Sequence, residues 1–419
     1  MAGKEYDWEN GAILEDHSRR KHKILREYIF DYLLVRCSYG PRDRFRIAIV
    51  DGFAGGGRYR CGTPGSPLIF IEELKRAVEQ VNVKRAAEGQ KFIEVESLLV
   101  FNDASPTAIN LLRDNIAPVL AEITESTPRL HLRVEYLNEF FESAYPKIKE
   151  SLGQGRYTNV IFNLDQCGDS HVERNTILDI MRSYPAVEVF YTFMISALLA
   201  FLKKNEPEML QERLKHIGVS TVDIDKLSSI MSRKDWLATA EKIVFDNFRL
   251  FAPYVSPFSI NNPGGWRYWM IHFANVYRAR QVYNNILHDN AGQQAHCGRH
   301  GLNMLSYDPR HDDQMLYLFD QQARDSAKQQ LIGDIANLVT NVGGAMSVGN
   351  FYEVIYNDTP AHTDDIHSAI IENPDLEVLT TSGGERRKPN TIKVDDVIKR
   401  KSQMTFFPLF DRSKLQKDD

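Results

Sequence analysis

An apolar run, Phe45-Arg46-Ile47-Ala48-Ile49-Val50, ends in Asp51-Gly52-Phe53-Ala54-Gly55-Gly56-Gly57. A buried strand that stops at an acid and a glycine-rich turn constrains the fold more than any other stretch. The glycines let the backbone take positive φ and come close to a ligand. The turn lies at the carboxyl end of a strand, where open α/β sheets bind ligands.

Four more strand runs follow: Leu98–Asp103, Leu130–Tyr136, Asn159–Asp165 and Val187–Phe193. Helical periodicity occupies 18–36, where Ile24, Leu25, Tyr28, Tyr32 and Leu33 share a face. Gly40-Pro41 stops that helix. A second helix is expected over 67–88, and Ser105-Pro106 opens a third, serine as cap and proline at the first helical position. After the fifth strand comes a helical insertion at about 195–250. A hairpin follows, Tyr254–Ile260 and Trp266–Ala274 around Asn261-Asn262-Pro263-Gly264-Gly265. Parallel strands alternating with helices and closed by an antiparallel hairpin give a doubly wound α/β sheet. This order resembles the seven-stranded Rossmann-like sheet of S-adenosylmethionine-dependent methyltransferases.

The expected organisation is a helical lead-in over 1–44, a methyltransferase-like domain over 45–300 and a smaller C-terminal domain over 301–419. In the last, 312–341 and 362–372 read as helices. Leu376–Thr381, the turn Ser382-Gly383-Gly384 and Ile392–Val394 read as a β-ribbon, so the domain is winged-helix-like.

With 419 residues, 43% hydrophobic and 26% charged, the composition is that of a globular protein with a large core. No apolar run is long enough to span a membrane, and the N-terminus lacks the apolar stretch of a signal peptide. Cys37, Cys61, Cys167 and Cys297 match no zinc spacing, so a reduced, cytoplasmic protein without a metal is expected. A net charge of −5 argues against coating nucleic acid non-specifically but leaves room for local basic sites. Two clusters, Arg19-Arg20-Lys21-His22-Lys23 and Glu385-Arg386-Arg387-Lys388, read either as solvated basic faces or as phosphate contacts.

By itself a glycine-rich turn identifies no ligand, and DGFAGGG lacks the GxGxxG spacing of nicotinamide enzymes. Its neighbours narrow the choice. Asp103 closes the second strand, where one carboxylate can accept both hydroxyls of a ribose in charge-assisted hydrogen bonds. After the third strand, Glu139 can meet an adenine amine while Phe140 packs on the ring. Alternatively, either acid serves only the surface or a helix N-terminus. Asp51, Gly52, Phe53, Ala54, Gly55 and Gly57 form the cofactor side, with S-adenosylmethionine as the expected cofactor.

The fourth strand ends in Asn163-Leu164-Asp165-Gln166-Cys167-Gly168. Amino-methyltransferases carry (Asp/Asn)-Pro-Pro-(Tyr/Phe) here, whose acid or amide accepts hydrogen bonds from the target NH₂. Asp165 supplies the acid, while the prolines and the aromatic are missing. Asp165 is therefore a candidate catalytic residue, or a cap for the next turn. Cys167 would need a preceding proline to act as a cytosine-carbon-5 nucleophile, and reads as a small buried residue.

The block from Asp51-Gly52-Phe53-Ala54-Gly55 through Gly57-Arg58-Tyr59, with Gly62 and Gly65-Ser66-Pro67, resembles the three-Cys-motif partner (TcmP) family. His17-Ser18-Arg19-Arg20-Lys21, the 268–274 hairpin strand and the ending at Phe406-Phe407 are similar too. The resemblance implies a methyltransferase-like fold and a protein partner, encoded nearby, that carries the three cysteines. It also implies that Arg58, Tyr59 and Ser66 line the mouth of the site; the competing reading is that they hold the loop to the first helix. The family's fourth-strand motif is closer to Asp-Pro-x-Gly, and Gln166 stands in the proline's place. Two functions follow as expectations. One is methylation of a nucleic-acid base amine, with Arg386 and Arg387 holding phosphates. The other is a catalytically inactive methyltransferase-like partner or sensor that binds another protein.

Overall fold

A computed structural model describes residues 7–38, 40–166, 172–195, 217–228, 233–261, 267–290, 296–297, 302, 316–317 and 321–402. Five parallel strands form its centre: β1 (Arg44–Asp51), β2 (Glu94–Asn102), β3 (Leu130–Leu137), β4 (Asn159–Leu164) and β5 (Ala186–Phe193). The hairpin of β6 (Tyr254–Asn261) and β7 (Arg267–Ala274) completes one sheet in the order β3-β2-β1-β4-β5-β7-β6. β7 runs antiparallel to both β5 and β6. This is the seven-stranded Rossmann-like methyltransferase sheet that the sequence leads one to expect. Pro257 is tolerated because β6 is an edge strand, where the ladder needs fewer donors. The hairpin tip at 262–266 lies outside the described residues.

Both faces of the sheet are covered. On one face pack α1 (Asp16–Cys37), α2 (Ser66–Ala87), α3 (Pro106–Ser126) and α8 (Tyr277–Asp289). On the other pack α4 (Phe141–Gln154), α5 (Arg174–Ser183) and α7 (Arg233–Phe248). The central strands β1, β2 and β4 are almost wholly buried, as strands covered on both sides must be. Ser105 caps α3 as anticipated, its Oγ accepting the Ala108 amide at 3.3 Å. The described parts of the insertion are α6 (Thr221–Ser228) and α7.

Helix α1 runs antiparallel to the central strands. Its C-terminal end meets their beginnings, where Arg36 donates to Asn159 Oδ1 at 2.5 Å. Its first two turns therefore reach the carboxyl ends of the strands, the side on which the glycine turn sits.

The C-terminal part builds α9 (Gln321–Asn341), α10 (Val348–Ile355) and α11 (Thr363–Glu372) around a separate apolar cluster. Two-residue strands β8 (His296–Cys297) and β9 (Leu316–Tyr317) pair before it. A second sheet, β10-β13-β11-β12, joins β10 (Ala345–Ser347), β11 (Leu376–Leu379), β12 (Glu385–Arg386) and β13 (Val397–Arg400). It is a winged helix, with two departures from the sequence reading besides the expected 312–341 helix, which begins only at Gln321 and whose Leu316–Tyr317 pair as β9. Ile392–Val394 is not the returning strand; β13 begins at Val397. Pro389 starts a 3₁₀ turn and Asp396 Oδ2 accepts the Lys393 amide at 2.7 Å, which keeps 389–396 curved. The second departure is α10, which the sequence reading left out. Gly343 and Gly344, both at positive φ, end α9, and Ser347 Oγ then caps α10 by accepting the Asn350 amide. None of the described helices is long and apolar enough to cross a membrane.

Candidate functional site

The glycine turn is fastened from both neighbouring strands. The Gly52 amide donates to Asn163 O (2.9 Å) at the end of β4, and the Ala54 amide to Asn102 O (2.8 Å) at the end of β2. Asn102 Nδ2 returns a bond to Gly52 O and a second to Glu139 O. A Cβ at Gly52 would lie 2.7 Å from the Phe141 ring and 2.9 Å from Leu164, so only glycine fits. Gly55 and Gly57 have φ of +61° and +81°, which side-chain-bearing residues rarely adopt.

Asp103 stands beside the turn. Its Oδ2 accepts the Gly55 amide at 2.9 Å and its Oδ1 accepts the Ser105 amide at 2.9 Å. Glu139 is ion-paired with Lys147, and Phe140 is 76% exposed at the start of α4. The residues singled out in the sequence for a nucleoside thus lie together, at the carboxyl ends of the neighbouring strands β1, β2 and β3.

Asp51 is fully buried, and burial pushes its carboxyl up to about 7. Hydrogen bonding from Ser66, the Phe53 amide and Asn163 works against that rise, while the nearby Asp165 charge adds to it. Ser66 is thus turned inward, toward Asp51. Tyr59 is buried, its ring 5.7 Å from both Trp8 and His22. Arg58 donates to Gly62 O within its own loop.

Asp165 has a partner the sequence reading missed. Lys21 of α1 places its Nζ against both carboxylate oxygens, 2.7 Å from Oδ2. Burial would raise the Asp165 pKa, but the Lys21 charge and hydrogen bond hold it below the usual carboxylate range. Gln166 donates from Nε2 to the Tyr191 hydroxyl (2.7 Å) and accepts the Val172 amide at Oε1 (3.1 Å). It therefore ties the exit of β4 to β5, a fixing role that a proline ring could not fill. Cys167 lies outside the described residues.

The first basic cluster is divided: Arg19 and Lys23 face solvent, while Lys21 and His22 turn inward. Lys21 and His22 are 4% and 7% exposed, and burial lowers both His17 and His22 to a pKa of about 4. His17 stacks on Tyr268 of β7 with ring centroids 4.1 Å apart. The signal was present in the spacing: His17 and Lys21 precede Leu25 and Tyr28 on one helical face. Trp8 was also missed. Its indole lies against Gly55 and Gly56, so close that a Cβ on Gly56 would be 2.6 Å from it. The Arg60 amide, donating to Ala12 O at 2.9 Å, holds this N-terminal segment to the loop.

Arg386 and Arg387 lie in the second sheet and its following loop. Arg386 forms a two-pronged pair with Asp396 (2.9 and 3.2 Å), while Arg387 is exposed beside Glu385.

Residues 306–383 match the family described as GMT-like wHTH domain, which agrees with the winged helix. Among solved structures, the chain is similar to a candidate O-methyltransferase from Klebsiella pneumoniae at 12% identity. The likeness covers 60% of this chain and 80% of that one, with a TM-score of 0.25. A candidate rRNA methylase from Clostridium thermocellum is similar at 8% identity over 58% of this chain and 94% of that one, with a TM-score of 0.23. No curated protein matches. Both superpositions are loose, so strand order and direction carry the fold assignment: a Rossmann-like methyltransferase sheet with a C-terminal winged helix.

Proposed function

We propose that the protein is an S-adenosylmethionine-dependent methyltransferase of TcmP type acting on an amine of a nucleic-acid base. One observation carries this reading. A glycine turn at the end of β1 lies between Asp103 at the end of β2 and Asp165 at the end of β4, fastened to both strands. The cofactor supplies a methyl group activated on a sulfonium. Asp103 would accept the ribose hydroxyls, Asp51 would face the cofactor's amino group, and Glu139 with Phe140 would meet the adenine. Asp165 would accept hydrogen bonds from the target amine and orient its lone pair, so catalysis rests on positioning. A partner protein encoded nearby and a cytoplasmic location belong to the same reading.

Calorimetry with S-adenosylmethionine tests the pocket. The wild type should bind, and Asp103→Ala should bind at least about tenfold more weakly, given the strength of charge-assisted hydrogen bonds. Transfer of a labelled methyl group to total RNA or DNA should then drop about a hundredfold or more in Asp165→Ala. No heat of binding with the wild type would sink the cofactor assignment.

A second reading, a cofactor sensor or scaffold that does not transfer methyl groups, is favoured by the Lys21 clamp on Asp165. Cofactor binding without transfer to any macromolecule would select it.

A further inference from the structure

A winged helix usually reads a duplex with its third helix, here α11, laid in the major groove. In this chain that helix is closed to such use. Its sequence, Thr363-Asp364-Asp365-Ile366-His367-Ser368-Ala369-Ile370-Ile371-Glu372, holds three acids and no Lys or Arg. Ile366, His367, Ala369 and Ile370 are buried, and the exposed residues are Asp364 and Glu372. The cations of α9 are turned onto it: Arg324 makes a two-pronged pair with Asp365 (2.8 and 2.8 Å), and Lys328 pairs with Glu372 at 2.7 Å. At its first residue, Thr363 donates from backbone and hydroxyl to Asn285 of α8. The 3₁₀ turn Pro389–Thr391 packs over it as well. An acidic helix enclosed on these sides would be repelled by phosphates and cannot reach base edges.

The charge has moved to the wing. Residues 380–402 contain seven Lys or Arg against three Asp or Glu, in a chain whose net charge is −5. One cation, Arg386, is used internally on Asp396, which shapes the loop. Arg387, Lys388 and Lys393 project from it, the Arg387 side chain 83% exposed. The geometry points to the wing as the element that holds nucleic acid, through its phosphate backbone and without reading sequence. Long cations on a narrow, mostly polar loop suit phosphates, which give affinity and register but no base information. A protein partner would want a buried aromatic anchor, and the wing offers none. This inference rests on the nucleic-acid part of the proposed function and names the surface that serves it.

The test uses the full chain and fluorescence anisotropy with two DNA duplexes of equal length and unrelated sequence, plus an RNA hairpin of similar charge. The wild type should bind both duplexes equally, with affinity falling steeply as salt rises. The variant Arg387→Glu/Lys388→Glu/Lys393→Glu should bind at least about tenfold more weakly, and its log–log salt slope should be shallower by about 2 to 3, near one per lost phosphate contact. Asp364→Asn and Ser368→Ala in α11 should stay within about twofold of the wild type, since phosphates dominate affinity. Unchanged thermal midpoints confirm that the variants fold, because the Arg386–Asp396 pair is kept. The inference is overturned if the wing variant binds like the wild type. Sequence discrimination that is lost on changing α11, or binding to anionic vesicles but to no nucleic acid, overturns it equally. Calorimetry with S-adenosylmethionine on the same protein separates the two claims. Cofactor binding without nucleic-acid binding sinks the wing alone, and nucleic-acid binding without cofactor uptake sinks the methyl-transfer reading alone.

Discussion

Asp51 links sequence, burial and pH at one atom pair. Placed at the end of a strand covered on both faces, it has no water to stabilise its charge, so it ionises only near pH 7. The unfolded chain ionises the same group near 3.8. Between these values the folded state binds the extra proton, so this contribution to stability is complete below about pH 4 and is lost as pH rises through about 7. The span corresponds to a loss on the order of 4 kcal/mol. His17 and His22 act in the opposite sense: their lowered pKa gives stability that is present above about 6.5 and lost as pH falls toward 4. Both histidines are unchanged in Asp51→Asn, so the difference between wild type and variant isolates Asp51. Urea midpoints measured from pH 4 to pH 8 should show the wild type losing ground steadily against Asp51→Asn. Parallel curves would mean that Asp51 is solvated or already ionised in the folded protein.

At the scale of elements, α1 changes the site most. Its apolar face was legible because Ile24, Leu25, Tyr28, Tyr32 and Leu33 repeat at helical spacing. The strands and their acids were legible too, since buried runs and the residues that end them are local signals. What was not legible is which way the basic first turns point. That depends on the antiparallel course of α1 across β1 and β4, a long-range fact, so Lys21 and His22 read as surface residues although both are buried. The winged helix shows the same limit. Turn chemistry at Gly343-Gly344 and Asp396 settles where α10 and β13 begin, and hydrophobic periodicity does not register it. The Lys21–Asp165 pair has a measurable consequence. Lys21 is buried and the Asp165 side chain keeps 22% of its surface exposed, so removing one partner leaves a partly buried charge unmatched, at a cost on the order of 2 kcal/mol. Lys21→Met should therefore be strongly destabilising by chemical denaturation. In Lys21→Met/Asp165→Leu much of that loss should return, because no unpaired charge remains. Equal and additive losses from the two sites would show that they do not interact.

On the scale of the whole molecule, α8 joins the sheet to the winged helix. Its apolar side, with Tyr283, Ile286 and Leu287, belongs to the core beneath the sheet. Its polar side is spent on the loop between α10 and α11. Arg280, wholly buried, donates to Tyr356 O (3.0 Å) and Thr359 O (3.5 Å); Asn284 donates to Thr359 O at 2.9 Å, and His288 bonds to Pro360 O at 2.9 Å. Burial lowers the Arg280 guanidinium to about 9, still charged at neutral pH. Buried donors on backbone carbonyls, one of them charged, make a junction that is costly to open, because each carbonyl left without its donor loses about 1 to 3 kcal/mol. The two parts should thus unfold together in the wild type. Arg280→Met keeps the apolar stem of the side chain and removes the donors, so it should weaken the junction and leave both cores intact. Calorimetry should then show one wild-type transition resolving into two, the first at lower temperature, and protease should cut the 356–363 loop faster in the variant. A single transition lowered as a whole would instead make Arg280 part of one common core. The outcome also bears on the proposed function, which would need a wing fixed to the sheet through α8 to hold a nucleic-acid strand at a constant distance from Asp165.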